Sequence, residues 1–387
     1  MVYAHHGISP FDRLFLELFA SHFETYLVTF GSPGPGYATK MAHTIPESVR
    51  VVEPRDFGKP IGNLKVNNLR IAVATPWRIL QLARCLDFIK PDIFVASYAT
   101  TYGFYASACG WKPLILLCWG SDILVDPNRS ILHRYLVKRA IRSAKIIAVD
   151  SLNMESALGS MGVPKEKIMC FPWLNQRLLQ EILPDQTLRR QLNWQDKVVV
   201  VSVRMHEPIY SIDTLIRAIP EVVSQHPNVR FLIFGYGSLT SQLVKLVREL
   251  GIESFVHFAG TVPREDLLAN MKECDIYVAT SVSDSSSTSL LEAMFLGLPV
   301  VVTHIPGNTE WISYGVDGLF FDKEDSKGLA KAITRLLSNP AEAQNLARNA
   351  QRLVQERIDW KRSSEEFIKR ISYEVHADTQ QLSRSKS

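Results

Sequence analysis

With 387 residues, 46% of them apolar and 21% charged, the chain is long enough for two domains with separate cores. A net charge of +4 is too small to mark a nucleic-acid binder, and no apolar run is as long as a membrane span. The charge is uneven, however: residues 1–170 hold 19 Lys+Arg against 13 Asp+Glu, which makes +6 and leaves −2 for the rest.

An anionic partner would therefore meet the first half. The five cysteines (Cys85, Cys109, Cys118, Cys170, Cys274) are odd in number and lack metal-ligand spacing. They read as reduced core thiols. Met1 to Gly7 shows no charged segment of the signal-peptide kind, so the expected location is cytoplasmic.

In chain order, residues 2–4 read as a first strand and His5 to Pro10 as a turn. Phe11 to Phe23 follows helical spacing and Tyr26 to Phe30 is a strand. Gly31 to Gly36 is a Pro/Gly loop, Ile71 to Phe88 a helix, Ile93 to Ala96 a strand and Tyr102 to Ala108 a helix. Pro113 to Cys118 is a buried strand with Trp119-Gly120-Ser121-Asp122 at its end, and in open α/β sheets ligands bind at such ends. A basic helix (Ile131 to Ala144, with Arg134, Lys138, Arg139 and Arg142, then Lys145) and two more strands complete a first sheet. That helix reads as a solvated face or, more sharply, as a patch for an anionic lipid surface at the inner face of a membrane.

Pro172 to Asp196 lacks a strand pattern and reads as a linker. Strand–helix alternation then restarts at Val198 and runs to Leu319-Phe320-Phe321, with three helices after it and a polar, disordered tail from His376. The expected fold is α/β, with two Rossmann-like domains facing each other across a cleft. The expected boundaries are 1–175, 176–358, a helix crossing back over 359–375, and a tail over 376–387.

Residues 279–307, ATSVSDSSSTSLLEAMFLGLPVVVTHIPG, place a loop of small polar residues and a helix start between two strands. The first N–H groups of a helix lack internal partners and the dipole is positive there, so this is an anion site. Asp284 and Glu292 bracket it. Carboxylates beside a phosphate site are suited to sugar or ribose hydroxyls, which points to a sugar nucleotide.

The second half resembles the retaining glycosyltransferases of the family-4 type, also called glycosyl transferases group 1, which have the double-Rossmann GT-B architecture. Val203-Arg204 with Asp213 to Ala218 is similar to the family's opening strand and helix, and Phe234-Gly235-Tyr236-Gly237 to its glycine turn. Phe258 to Pro263, with Val262, is similar to the turn that frames the base. Asp284 and Glu292 have the spacing of its paired carboxylates, and Leu291-Glu292-Ala293-Met294 with Gly297-Leu298-Pro299-Val300 is the most specific match. In the first half, Trp119 to Asp122 and Pro172-Trp173 resemble one branch of the family.

The resemblance implies a metal-independent transferase with no cofactor beyond its donor, and no Asp-x-Asp occurs in the chain. Its partners would be a nucleoside-diphosphate sugar and a carbohydrate or lipid-linked acceptor, in polysaccharide or glycolipid biosynthesis. By the same resemblance Glu292 binds ribose hydroxyls, Arg204 clamps the diphosphate and Asp284 holds the donor sugar. The amides of Ser286, Ser287, Thr288 and Ser289 face sugar and phosphate, with Gly7, Gly235, Val262 and Tyr210 as further donor contacts. Tyr210 stands near the family's usual Lys, and Trp119 stands where related enzymes carry a His. His5, His6, Trp119 and Asp122 form the acceptor side; turn capping is the plain alternative for Asp122. Two rivals stay open: a nucleotide-sugar epimerase on the same architecture, and a binding protein without turnover.

Overall fold

Short, wholly apolar runs become strands covered on both faces. The computed structural model describes residues 1–5, 10–30, 45–52 and 67–384, with side chains described for these except 10, 11, 67–74 and 377–384. His6, Gly7 and the 31–36 loop lie outside the described residues. The chain divides into two units, Met1–Phe171 with Lys361–Ser387, and Pro172–Trp360.

In the first unit, β1 (Val2–Ala4), β2 (Tyr26–Val28), β3 (Arg50–Val52), β4 (Phe94–Ser97), β5 (Leu114–Leu117), β6 (Ile146–Val149) and β7 (Ile168–Cys170) form one sheet in the order β3-β2-β1-β4-β5-β6-β7. Every pairing recorded in it is parallel, in register such as Val2 with Phe94 and Val95 with Ile115. Parallel strands need helices on both faces, so Leu114-Ile115-Leu116-Leu117 and Ile146-Ile147-Ala148-Val149 are apolar throughout and buried. The long last helix, Trp360–Arg384, belongs here from Lys361 onward. It inserts Phe367 against Phe19 and Phe171, with ring centroids 6.3 and 5.4 Å apart, and Glu374 pairs with Lys145 at 3.3 Å.

In the second unit, β8 (Val198–Val203), β9 (Val229–Phe234), β10 (Val256–Gly260), β11 (Ile276–Ala279), β12 (Val300–Thr303) and β13 (Leu319–Phe321) are ordered β10-β9-β8-β11-β12-β13. Alternation along β8 splits its valines between two cores. Val199 and Val201 join Tyr277, Leu291 and Trp311, while Val200 joins Ile216, Phe231 and Ile333.

Four sequence expectations change. Residues 172–196 are not a loose linker: the helices Gln176–Glu181 and Thr187–Gln191 form there, and Leu174, Leu179 and Trp194 enter the second unit's core. The helix expected from Tyr102 begins earlier, as a wide π-helical turn over Tyr98–Gly103 that leads into Phe104–Cys109. The tail expected to be disordered from His376 continues the last helix to Arg384, a stretch with no Gly or Pro to stop it. β3 was not foreseen, since three residues with Arg50 at their head carry almost no pattern. Among the described residues, no helix is long and apolar enough to cross a membrane.

Candidate active site

In the second sheet the strand order reverses between β8 and β11. The crevice outside the carboxyl ends of the strands at such a point is where ligands settle in doubly wound sheets. Arg204 follows β8 directly and is nearly enclosed, its side chain 11% exposed. Its guanidinium donates to the Asp284 carboxylate and to the Ser287 hydroxyl. Burial opposes its charge, but Asp284 together with the Tyr277 and Tyr210 hydroxyls outweighs this and moves its pKa up. Tyr210 does not stand in for a second cation. Its ring lies under the Arg204 guanidinium at 5.4 Å, a cation–π contact that braces the arginine. Burial raises the Tyr210 pKa, so its hydroxyl keeps its proton.

Ser287 is the N-cap of the helix Thr288–Phe295 and accepts from Leu290 N at 3.3 Å. The serine hydroxyls hold the loop from within: Ser286 accepts from Trp311 Nε1 at 2.7 Å, and Ser289 bonds the Tyr277 hydroxyl at 2.8 Å. That leaves the amides of the first helical turn, which have no carbonyl one turn back, as the groups able to meet an anion. The loop is pressed against the next turn as well. A Cβ on Gly307 would lie 1.9 Å from Ser285 O.

One turn further along the helix, Glu292 is almost fully buried, with its side chain 2% exposed, and pairs with Arg264, whose side chain is 14% exposed. Burial pushes the Glu292 pKa up while Arg264 pulls it back. Arg264 opens the helix Arg264–Met271, two residues after the half-buried Val262. Gly235 ends β9 at φ +110°, and a Cβ there would lie 2.1 Å from Arg204 O, so only glycine lets the two strand ends meet. Arg204, Tyr210, Asp284, Ser287, Glu292 and Gly235 thus share one edge. Arg264 and Trp311 were not foreseen. Both are contacted from sequence-distant residues, and the only local signal was a charged residue opening a helix after Val262-Pro263.

The first unit has its own group at the carboxyl edge, where β1 and β4 flank the reversal in strand order. His5 follows β1 and its Nδ1 lies 2.9 Å from the Asp12 carboxylate, which also accepts from Tyr3 at 2.5 Å. The His5 ring is 5.5 Å from that of Trp119. Trp119 donates from Nε1 to Ser97, so the indole is tethered to the sheet. Asp122 does not face outward. It is fully buried, and its two oxygens accept from Trp119 N at 2.9 Å and Ala99 N at 2.8 Å. Those bonds make it the clasp of the turn, the plainer of its two readings, and burial pushes its pKa up to about 6. Tyr98, also unforeseen, holds φ +73° beside it and bonds Ser121 at 2.8 Å.

Residues 184–353 match the family described as Glycosyl transferases group 1, and residues 48–151 match the one described as Glycosyl transferase 4-like. Both matched stretches are thus similar to glycosyltransferases of the family-4 type, one in each unit. Solved structures share this two-domain fold along nearly the whole length. The Anabaena protein HepE in complex with UDP-glucose has a TM-score of 0.77 at 19% identity, over 96% of this chain and 99% of that one. Sucrose-phosphate synthase from Thermosynechococcus elongatus has a TM-score of 0.77 at 18% identity, over 97% and 99%. Among curated relatives, a glycosyltransferase of Methanocaldococcus jannaschii is 26% identical over 255 residues, 63% of this chain and 64% of the relative. The GDP-mannose-dependent alpha-(1-6)-phosphatidylinositol monomannoside mannosyltransferase of Mycolicibacterium smegmatis is 28% identical over 163 residues, 40% and 43%. The chain thus spans less than two thirds of the length of either relative.

Proposed function

We propose that the chain moves a sugar from a nucleoside-diphosphate sugar to an acceptor hydroxyl, with retention of anomeric configuration, in polysaccharide or glycolipid biosynthesis. The observation that carries this reading is the enclosed Arg204 at the end of β8, held against Asp284 and the N-cap of the helix Thr288–Phe295. When the donor breaks at its anomeric carbon, the bonding electrons leave with the diphosphate. In this reading Arg204 and the first-turn amides offset that charge, which leaves no need for a divalent ion. Asp284 exchanges its bond with Arg204 for the sugar's hydroxyls as the arginine turns to phosphate. Glu292, ionised beside Arg264, accepts from the ribose diol.

His5, oriented by Asp12, is the acceptor-side base, and Trp119 offers a flat apolar face to a carbohydrate or lipid-linked acceptor. Neither relative named above supports the epimerase, since both bear transferase names. HepE was solved with UDP-glucose, so that donor is the first to try. The test is thermal unfolding in the presence of a panel of nucleoside diphosphates and their sugars. A ligand at a hundred times its dissociation constant stabilises the native state by about 2.7 kcal/mol. One of the panel should raise the unfolding temperature of the wild type and do so less for Glu292→Ala. A panel in which none does overturns the donor site.

A further inference from the structure

The first unit also has a cationic groove, away from its carboxyl edge. A groove of about 230 Å³ lies between the end of the helix Ile131–Ser143 and the turn after the helix Leu152–Ser160. Lys138, Arg142 and Lys167 line it, with Ile141, Val163 and Pro164 as its apolar wall, and no Asp or Glu is among the lining residues. Water takes about 30 Å³ in the liquid, so a phosphate group fits with solvent to spare. Lys145 N, just past that helix end, donates to Leu114 O at the start of β5, which puts the groove at the amino edge of the sheet. The group around His5 and Trp119 is at the other edge.

Lys138 and Arg142 are exposed, and Lys167 spends one donor on Ala144 O at 3.2 Å and has two more. Of the nearby acids, Glu374 pairs with Lys145 and Arg370 and Glu155 with Lys165, while Glu166, next to Lys167 in the chain, is exposed and does not line the groove. A cation in the last turn is ordinary helix-dipole chemistry, which accounts for Arg142. It does not account for three cations converging on one groove, nor for what precedes them. Ile131, Tyr135, Lys138 and Arg142 recur at helical spacing and share one stripe. Ile131 is 88% exposed, Leu132 59% and Tyr135 54%. Apolar side chains in water at one end of a stripe and a basic groove at the other suit a helix lying flat in a headgroup layer.

We propose that this face docks on an anionic phospholipid surface. One lipid phosphate sits among Lys138, Arg142 and Lys167, and Ile131, Leu132 and Tyr135 enter the boundary below the headgroups. The inference goes beyond glycosyl transfer and does not rest on it, because the assay contains no donor.

The full chain is sedimented with vesicles of phosphatidylcholine alone and of equal parts phosphatidylglycerol and phosphatidylcholine. Wild type should sediment only with the mixed vesicles. Lys138→Gln, Arg142→Gln and Lys167→Gln together should lower partition about a hundredfold, at about 1 kcal/mol per cation near the surface. Ile131→Ser with Tyr135→Ser should lower it too. Lys323→Gln, Lys327→Gln and Lys331→Gln remove the same charge from exposed positions of the second unit and should leave partition unchanged. Unaltered circular dichroism shows that each variant is folded. Equal losses in the two triple variants, or a wild type that stays in the supernatant, overturn the proposal. Stabilisation by inorganic phosphate, lost in the groove variant but without vesicle binding, reassigns the groove to a soluble phosphate and overturns the lipid.

Discussion

Replacing Arg264 by Met strikes the pair on which the ribose-binding carboxylate depends. Glu292 has 2% of its side chain exposed, so without Arg264 it is a buried charge with its counterion gone. Removing one partner of such a pair costs about 3–5 kcal/mol. Glu292→Gln should cost less, because Arg264 at 14% exposure can turn to water. The double variant leaves neither charge stranded, so its cost should fall short of the sum by about 1–3 kcal/mol.

The pH dependence follows from the sign. Burial already holds the Glu292 pKa above its ordinary value, and removing the guanidinium lifts it further. A carboxyl whose folded pKa is raised keeps its proton in the native state after the unfolded chain has lost it. Stability therefore falls as pH rises from the ordinary carboxylate range through the folded pKa. The deficit of Arg264→Met should be small in acid and grow toward neutrality. Urea unfolding at several pH values, followed by tryptophan fluorescence, measures both effects. A variant as stable as wild type at every pH, or a cycle with no coupling, refutes the role given to Arg264.

Arg204→Ala should weaken binding of the nucleoside diphosphate by about 1.5–3 kcal/mol, the range for a hydrogen bond to a charged group; calorimetric titration with an unchanged dissociation constant would contradict it. Asp122, pushed up to about 6 from 3.8 by burial, is a raised carboxyl of the same kind. Its contribution is present in acid and is lost between about pH 4 and 6, by up to about 3 kcal/mol at 1.36 kcal/mol per pKa unit. Asp122→Asn loses one acceptor at every pH but should flatten that part of the stability profile, as urea unfolding across pH 3 to 8 would show.

Much of the second unit is legible because its information is local. Val198–Val203 and Ile276–Ala279 are apolar runs bounded by polar residues, and strands covered on both faces need nothing more to be recognised. Asp284 and Glu292 bracket a polar loop and a helix start, so the residues themselves point to them, whereas Arg204 is picked out by the resemblance of Val203-Arg204 to the family's opening strand. Arg264 escaped because its partner lies 28 positions away, and within Arg264-Glu265-Asp266 it reads as one of several charges at an ordinary helix start. Asp12 reads as a helix-start acid, and only the fold carries it to His5 and Tyr3. The positive φ of Tyr98 has no signature in the sequence, since tyrosine is not a residue that favours it. Residues 172–196 looked unstructured because Leu174, Leu179 and Trp194 follow no single period. They are gathered by the second core rather than by a local repeat.

The central claim is that the edge holding Arg204, Asp284 and Glu292 transfers a sugar. Its most direct test is turnover of the donor that best stabilises the chain, offered with a panel of carbohydrate and lipid-linked acceptors, in wild type and Glu292→Ala. Wild type should form a glycosylated product, and Glu292→Ala should lose about tenfold to a hundredfold in kcat/KM, the worth of one charged hydrogen-bond partner. Equal and negligible turnover in both proteins, with tight donor binding by the wild type, would mean that the site holds a nucleotide sugar without transferring it.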